Sequence, residues 1–391
     1  MRRHFFLICW CLALAEPTAA APFVPVDDAQ VLERLPFRPT DPTVRELRLL
    51  HAQLILQPDN HMLAVAVARR YVELGRVTGD PRYAGYAQAA LGPWWHLAEP
   101  PRDVLLLRAT LHQRVHQFDF ALKDLALALA RNPRDAQARL TRATVLQVRG
   151  EYEAARQDCE ALKGLTQPLI ALACLTGVNA SNGKLRDSYR TLREALAHHP
   201  EAEPSIQAWM LAGLAEMAAR AGFAHNAEQH FKAALAVDPA DQYLVAAYAD
   251  FLLHSGRARE AQELVKMHTR ADGLLLRYAL ALKAQGSTST PEVVEELRAR
   301  FDASRLRGDR VHLREEARFE LHLDADPRTA LELAKNNWAV QKEPADARIL
   351  LESALAANDV VAVRSLQAWL AESHLEDVQL THLLETMHPG G

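Results

Sequence analysis

The chain has 391 residues, 49% hydrophobic and 24% charged, values that exclude a disordered protein. Its 45 Lys and Arg against 49 Asp and Glu give a net charge of −4, without the positive field of a general nucleic-acid binder. With 16 glycines and few β-branched runs, an all-β fold is excluded, and long Ala/Leu/Arg/Glu stretches favour helix.

Residues 1–20 read as a secretory signal peptide: Arg2 and Arg3, the apolar run Phe5 to Ala15, then Thr18-Ala19-Ala20-Ala21. The run is shorter than the roughly 20 residues of a bilayer-spanning helix, and Pro22 favours cleavage after Ala20. Export to the periplasm is therefore expected, with no stable membrane insertion after cleavage. Residues 21–42 form a proline-rich segment expected to be extended, with a short helix near 28–35. Helices are expected over 43–57 and 61–75, then a second partner helix containing Tyr83, Tyr86, Ala87 and Leu91. Trp94-Trp95, between Pro93 and Pro100-Pro101, should plug a junction between helical units.

From there the chain compares with itself. Ala109 recurs as Ala143, Phe118 as Tyr152, Ala121 as Ala155 and Leu125 as Cys159, each 34 residues on. Ala215 recurs as Ala249, Gly222 as Gly256 and Ala227 as Ala261 at the same interval. Small residues at Ala109 and Ala121 suit the crossing of two close helices. Phe118, Tyr152 and Phe231 fill the wedge between units. Gly150, Gly222 and Gly256 fall at turns, and Pro133, Pro200 and Pro239 end helices. More degenerate pairs follow over 274–307, 311–342 and 346–373, about eight pairs in all.

This period and these columns resemble the tetratricopeptide repeat, best over 102–275. The resemblance implies one all-α, right-handed superhelical solenoid of antiparallel helix pairs over 43–388, rather than several globular domains. It also implies an inner face built by the first helix of each pair. Three- and four-residue steps place Asp103, Leu106, Thr110 and Gln113 on that face, then Gln137, Leu140, Thr144 and Gln147. Later units add Trp209, Ala212, Glu216 and Arg220, and then Tyr243, Ala246, Asp250 and His254. Amides, hydroxyls and two aromatics suit a groove for a protein or peptide segment. The clustered Lys and Asn with which some family members grip a C-terminal carboxylate are absent, so that activity is not carried over.

Neither a His-Glu-x-x-His motif, a glycine-rich phosphate loop nor a Gly-x-Ser-x-Gly elbow occurs, so neither enzyme activity nor a cofactor is expected. His112 and His116, one helical turn apart, are too few to hold a metal alone. Cys159 and Cys174 flank the turn 164–168 at nearly equal height on facing helices. A bridge needs Cα atoms within about 7 Å; a disulfide and two buried thiols both satisfy the placement. The expectation is an exported, non-catalytic scaffold or adaptor for a protein segment. The alternatives are a metal-handling protein using its 17 histidines and a docking subunit of a membrane complex.

Overall fold

The structure, a computed structural model, describes Asp27, residues 40–309 and residues 311–385. The signal segment with its cleavage point, and the short helix expected near 28–35, lie outside the described residues. Residues 1–45 and 46–391 form two separate units.

The helices run in order as α1 (Pro42–Leu56), α2 (His61–Thr78), α3 (Arg82–Ala90), α4 (Gly92–Trp95), α5 (Arg102–Arg114), α6 (Phe118–Arg131) and α7 (Ala136–Val148). There follow α8 (Tyr152–Ala161), α9 (Pro168–Ala180), α10 (Leu185–His198), α11 (Pro204–Arg220), α12 (Ala224–Val237), α13 (Gln242–His254) and α14 (Ala258–Val265). The last are α15 (Asp272–Ala284), α16 (Thr290–Leu306), α17 (Leu313–Phe319) with a π-helical turn (Glu320–Asp324), α18 (Pro327–Trp338), α19 (Pro344–Ala356), α20 (Val360–Ser373) and α21 (Val378–Glu385). Among the described residues this makes an all-α solenoid with nine helix pairs, from α2/α3 to α19/α20, one more than the sequence count.

The 34-residue columns are the core. Ala109, Ala121, Ala155, Ala215, Ala227, Ala249 and Ala261 are all fully buried, where a larger side chain would separate helices that cross closely. Phe118, Tyr152 and Phe231 are buried as the bulk between pairs. Pro133, Pro200 and Pro239 each stand two residues beyond the end of α6, α10 and α12, because proline supplies no N–H to continue a helix. Asp135 and Asp241 accept the N–H groups of Ala138 and Leu244 and start α7 and α13. Cys159 of α8 and Cys174 of α9 are joined in a disulfide, their Cα atoms 5.5 Å apart. Trp94 is buried against the cluster of Ala64, Val104 and Leu107, as expected of a plug between units, whereas Trp95 is only half-buried.

Within the unit 46–391 the stack winds back onto itself. The turn inside one pair meets the connections that follow the fourth and fifth pairs further on. In pair 1, Arg76 Nη1 donates to Asp238 at 2.8 Å and Asp241 at 3.2 Å, and Gln242 Nε2 donates to Val77 O at 3.0 Å. In pair 3, Val148 O accepts from Lys342 N at 2.7 Å. In pair 4, Leu185 N donates to Glu376 Oε1 at 3.0 Å. This seam joins successive superhelical turns. It is tight enough that a Cβ added at Gly79 would lie 2.8 Å from Ala271 Cβ, and one at Gly183 2.9 Å from His374 Cβ.

Candidate binding site

The inner face predicted from sequence divides into two groups. In the early pairs, partners are local. Asp103 pairs with Arg102 at 2.7 Å. The Thr110 and Thr144 hydroxyls donate to Leu106 O and Leu140 O, both at 3.0 Å. Gln137 donates to Thr141 at 3.2 Å and Gln147 to Gly177 O at 3.4 Å. Gln113 is half-buried and has no side-chain hydrogen bond among the described residues.

In the later pairs the structure brings Glu216, Arg220, Tyr243, Asp250 and His254 together with charges from pairs 7 to 9. Tyr243 Oη donates to Glu216 Oε1. Burial pushes the Glu216 carboxyl up to about 7; Glu343 works in the same direction, against the Tyr243 hydrogen bond and Arg220. The Glu216 charge in turn holds the Tyr243 hydroxyl well above its ordinary range. Asp250 is gripped by Arg277 Nη2 at 2.6 Å and Arg318 Nη2 at 2.9 Å. Burial alone would raise its carboxyl, but the two guanidiniums outweigh that and hold it well below the usual range. Arg348 Nη1 lies 3.1 Å from His254 Nε2, and burial together with that cation brings the imidazole down to about 4. Arg220 donates to Glu376 O at 3.3 Å and to Ala180 O.

Arg220, Asp250 and His254 are thus engaged by the chain's own C-terminal pairs. Trp209 and Tyr243 remain 40% and 58% exposed. The sequence reading missed Arg314, Arg318 and Arg348, the cations that face this stretch. Their signal was present in the charged first helices of the degenerate pairs, such as Arg314-Glu315-Glu316. Arg314 bonds Glu343 at 2.9 Å and Asp346 at 3.3 Å.

A second concavity of about 1660 Å³ opens between α3 and α6. The nine-residue α3 is about 14 Å long against about 21 Å for the fourteen-residue α6, so it leaves part of α6 uncovered. The chain then spends α4 and residues 96–101 before the next pair begins. Along one wall His112 stands between Trp95 and Phe120, with ring centroids 5.2 and 5.3 Å away. Its Nδ1 is 2.8 Å from Gln117 Oε1. Among the described residues no group of three His, Cys, Asp or Glu side chains is placed to hold a metal ion. No helix among them is long and apolar enough to cross a membrane.

No family model matches the chain, and no curated protein does. Among solved structures it is similar to a tetratricopeptide repeat protein from Parabacteroides merdae at 14% identity, covering 80% of this chain and 98% of that one, with a TM-score of 0.38. It is similar to the APC/C hetero-tetramer Cut9–Hcn1 at 13% identity, covering 89% and 82%, with a TM-score of 0.41. It is also similar to a monomeric IFIT1 mutant with Gppp-AAAA at 15% identity, covering 88% and 86%, with a TM-score of 0.42.

Proposed function

We propose that this protein is an exported, non-catalytic scaffold that holds a segment of another protein in the inner groove of its helix-pair stack. The observation that carries the reading is the pair Trp209 and Tyr243. They sit one 34-residue period apart on α11 and α13, on the face expected to line the groove, and keep 40% and 58% of their surface open. Exposed aromatics beside hydrogen-bonding side chains supply the anchors on which interface energy concentrates. Export is supported by the basic and apolar start of the chain and by the Cys159–Cys174 disulfide, since such bridges persist in oxidising compartments.

The test is capture of a partner from a native envelope extract with the purified protein as bait. Replacing Trp209 and Tyr243 together with alanine should leave far-UV circular dichroism unchanged and lose the captured partner, since each truncation removes about 2 kcal/mol. Capture undiminished by the double substitution would overturn the groove as the binding site.

A further inference from the structure

The turns that face the seam follow one pattern with one exception. Pairs 1, 3, 4 and 5 carry Gly79, Gly150, Gly183 and Gly222 in the left-handed conformation, with φ between 68° and 79°. Pair 2 makes the same turn, His116 N donating to Gln113 O at 3.1 Å and Gln117 N to His112 O at 2.8 Å. At the position 34 residues before Gly150, however, it carries His116, with φ of 55°. A non-glycine residue held in this region is strained, and such strain persists where the surroundings impose it. The glycines allow the next superhelical turn to close in. At His116 no such close contact is made among the described residues, and His116 and Gln117 line the 1660 Å³ cavity together with Gly308, Asp309, Val311 and His312.

The chemistry of that opening is selective. Leu97, Val115, Phe120 and Val340 all line it and are 48%, 38%, 59% and 38% exposed. Its carboxylates are mostly neutralised: Asp80 by Arg82 at 2.6 Å, Asp124 by Arg108 at 2.6 Å and Glu99 by Arg131 at 3.2 Å. Asp309 accepts the Val311 N–H at 3.0 Å. Arg114 and Lys123 line the same cavity and make no ion pair or hydrogen bond through their side chains among the described residues. Gln88 and Asn336 also line it, and among the described residues their amides make no hydrogen bond. The volume exceeds the roughly 300–1,000 Å³ of small-molecule pockets and suits a stretch of polypeptide.

We propose that the open seam at His116 is a second binding site, distinct from the groove of Trp209 and Tyr243. It takes an extended protein segment that presents acidic side chains to Arg114 and Lys123 and large apolar ones to Phe120, Leu97 and Val340. His116 keeps the site open where glycine closes the seam elsewhere.

The probe is a short fluorescein-labelled peptide in which Glu alternates with Phe and Leu, with a counterpart carrying Lys for every Glu. Binding to the full chain is read by fluorescence anisotropy. The acidic peptide should bind at least about ten-fold more tightly than the basic one, by more at low salt. Arg114→Glu with Lys123→Glu should weaken it by roughly ten-fold or more, and Phe120→Ala by a similar factor. His116→Gly should weaken it while leaving the melting temperature the same or higher, a combination that loss of folding cannot produce. Trp209→Ala with Tyr243→Ala should leave the probe's affinity unchanged, which separates this site from the groove. Equal binding of both peptides, no binding, or binding indifferent to Arg114, Lys123 and His116 would overturn the proposal. So would binding lost with the Trp209 and Tyr243 pair, or capture of phosphatidylglycerol vesicles in place of the acidic peptide.

Discussion

Glu216→Gln should make the protein more stable in mild alkali and leave it nearly unchanged in mild acid. The carboxyl ionises at about 7 in the folded groove rather than at its ordinary 4.5. Between those values the folded state holds a proton that the unfolded chain has released. The stability that Glu216 contributes is therefore complete below about pH 4.5 and is lost as pH rises through about 7. The displacement corresponds to a ceiling of about 3 kcal/mol. Tyr243, which bonds Glu216, is 58% exposed, so screening should reduce the realised difference to about 1–2 kcal/mol. Glutamine keeps an oxygen to accept from Tyr243 Oη and removes the charge that burial and Glu343 oppose. His254, brought down to about 4, titrates in both proteins and cancels in the comparison. The assay is the urea midpoint, followed by far-UV circular dichroism at about pH 5 and about pH 8. Curves that stay parallel across that range would refute the assignment of Glu216 as a carboxyl strained by its burial.

Ala121→Leu and Ala227→Leu, both at fully buried helix crossings, should each cost roughly 1–3 kcal/mol by overpacking; melting temperatures unchanged at both sites would show that these columns do not set the helix spacing. Replacing Cys159 and Cys174 together with serine should cost about 3 kcal/mol for a closed loop of this length in the chain-entropy model. Unfolded, non-reduced protein purified from the exported fraction should show no free thiol, and two thiols per chain would refute the bridge.

The helix pairs were legible because their signal is local and periodic. Ala109, Ala143, Ala215 and Ala249 had to be small, and Gly150, Gly222 and Gly256 had to turn. Each requirement repeats at 34 residues. The winding of the stack was not legible, because its determinants are single polar residues scattered along the chain. Nothing in Arg76, Lys342 or Glu376 taken alone says that each meets a turn some 160–190 residues away. For the same reason the polar character of these residues is legible, while the engagement of Arg220, Asp250 and His254 by residues of pair 7 and beyond is hidden. The cavity has a readable sign in the sequence. His116 occupies the glycine column, and Pro93 to Pro101 lengthens pair 1 beyond the period. Trp95 and His112 were visible as residues but not as one wall, since the spacing that joins them comes from the short α3.

A linear repeat array can lengthen or shorten by whole repeats, because each unit touches only its neighbours. The seam removes that freedom here. A repeat inserted between pairs 4 and 5 would move every later connection out of phase with the turn it meets. Gly79 would lose Ala271, Val148 would lose Lys342, and Leu185 would lose Glu376 together. Such a protein can drift in sequence at its surface, but its number of pairs per superhelical turn is locked. Change in this architecture has to come by substitution or by additions at its ends.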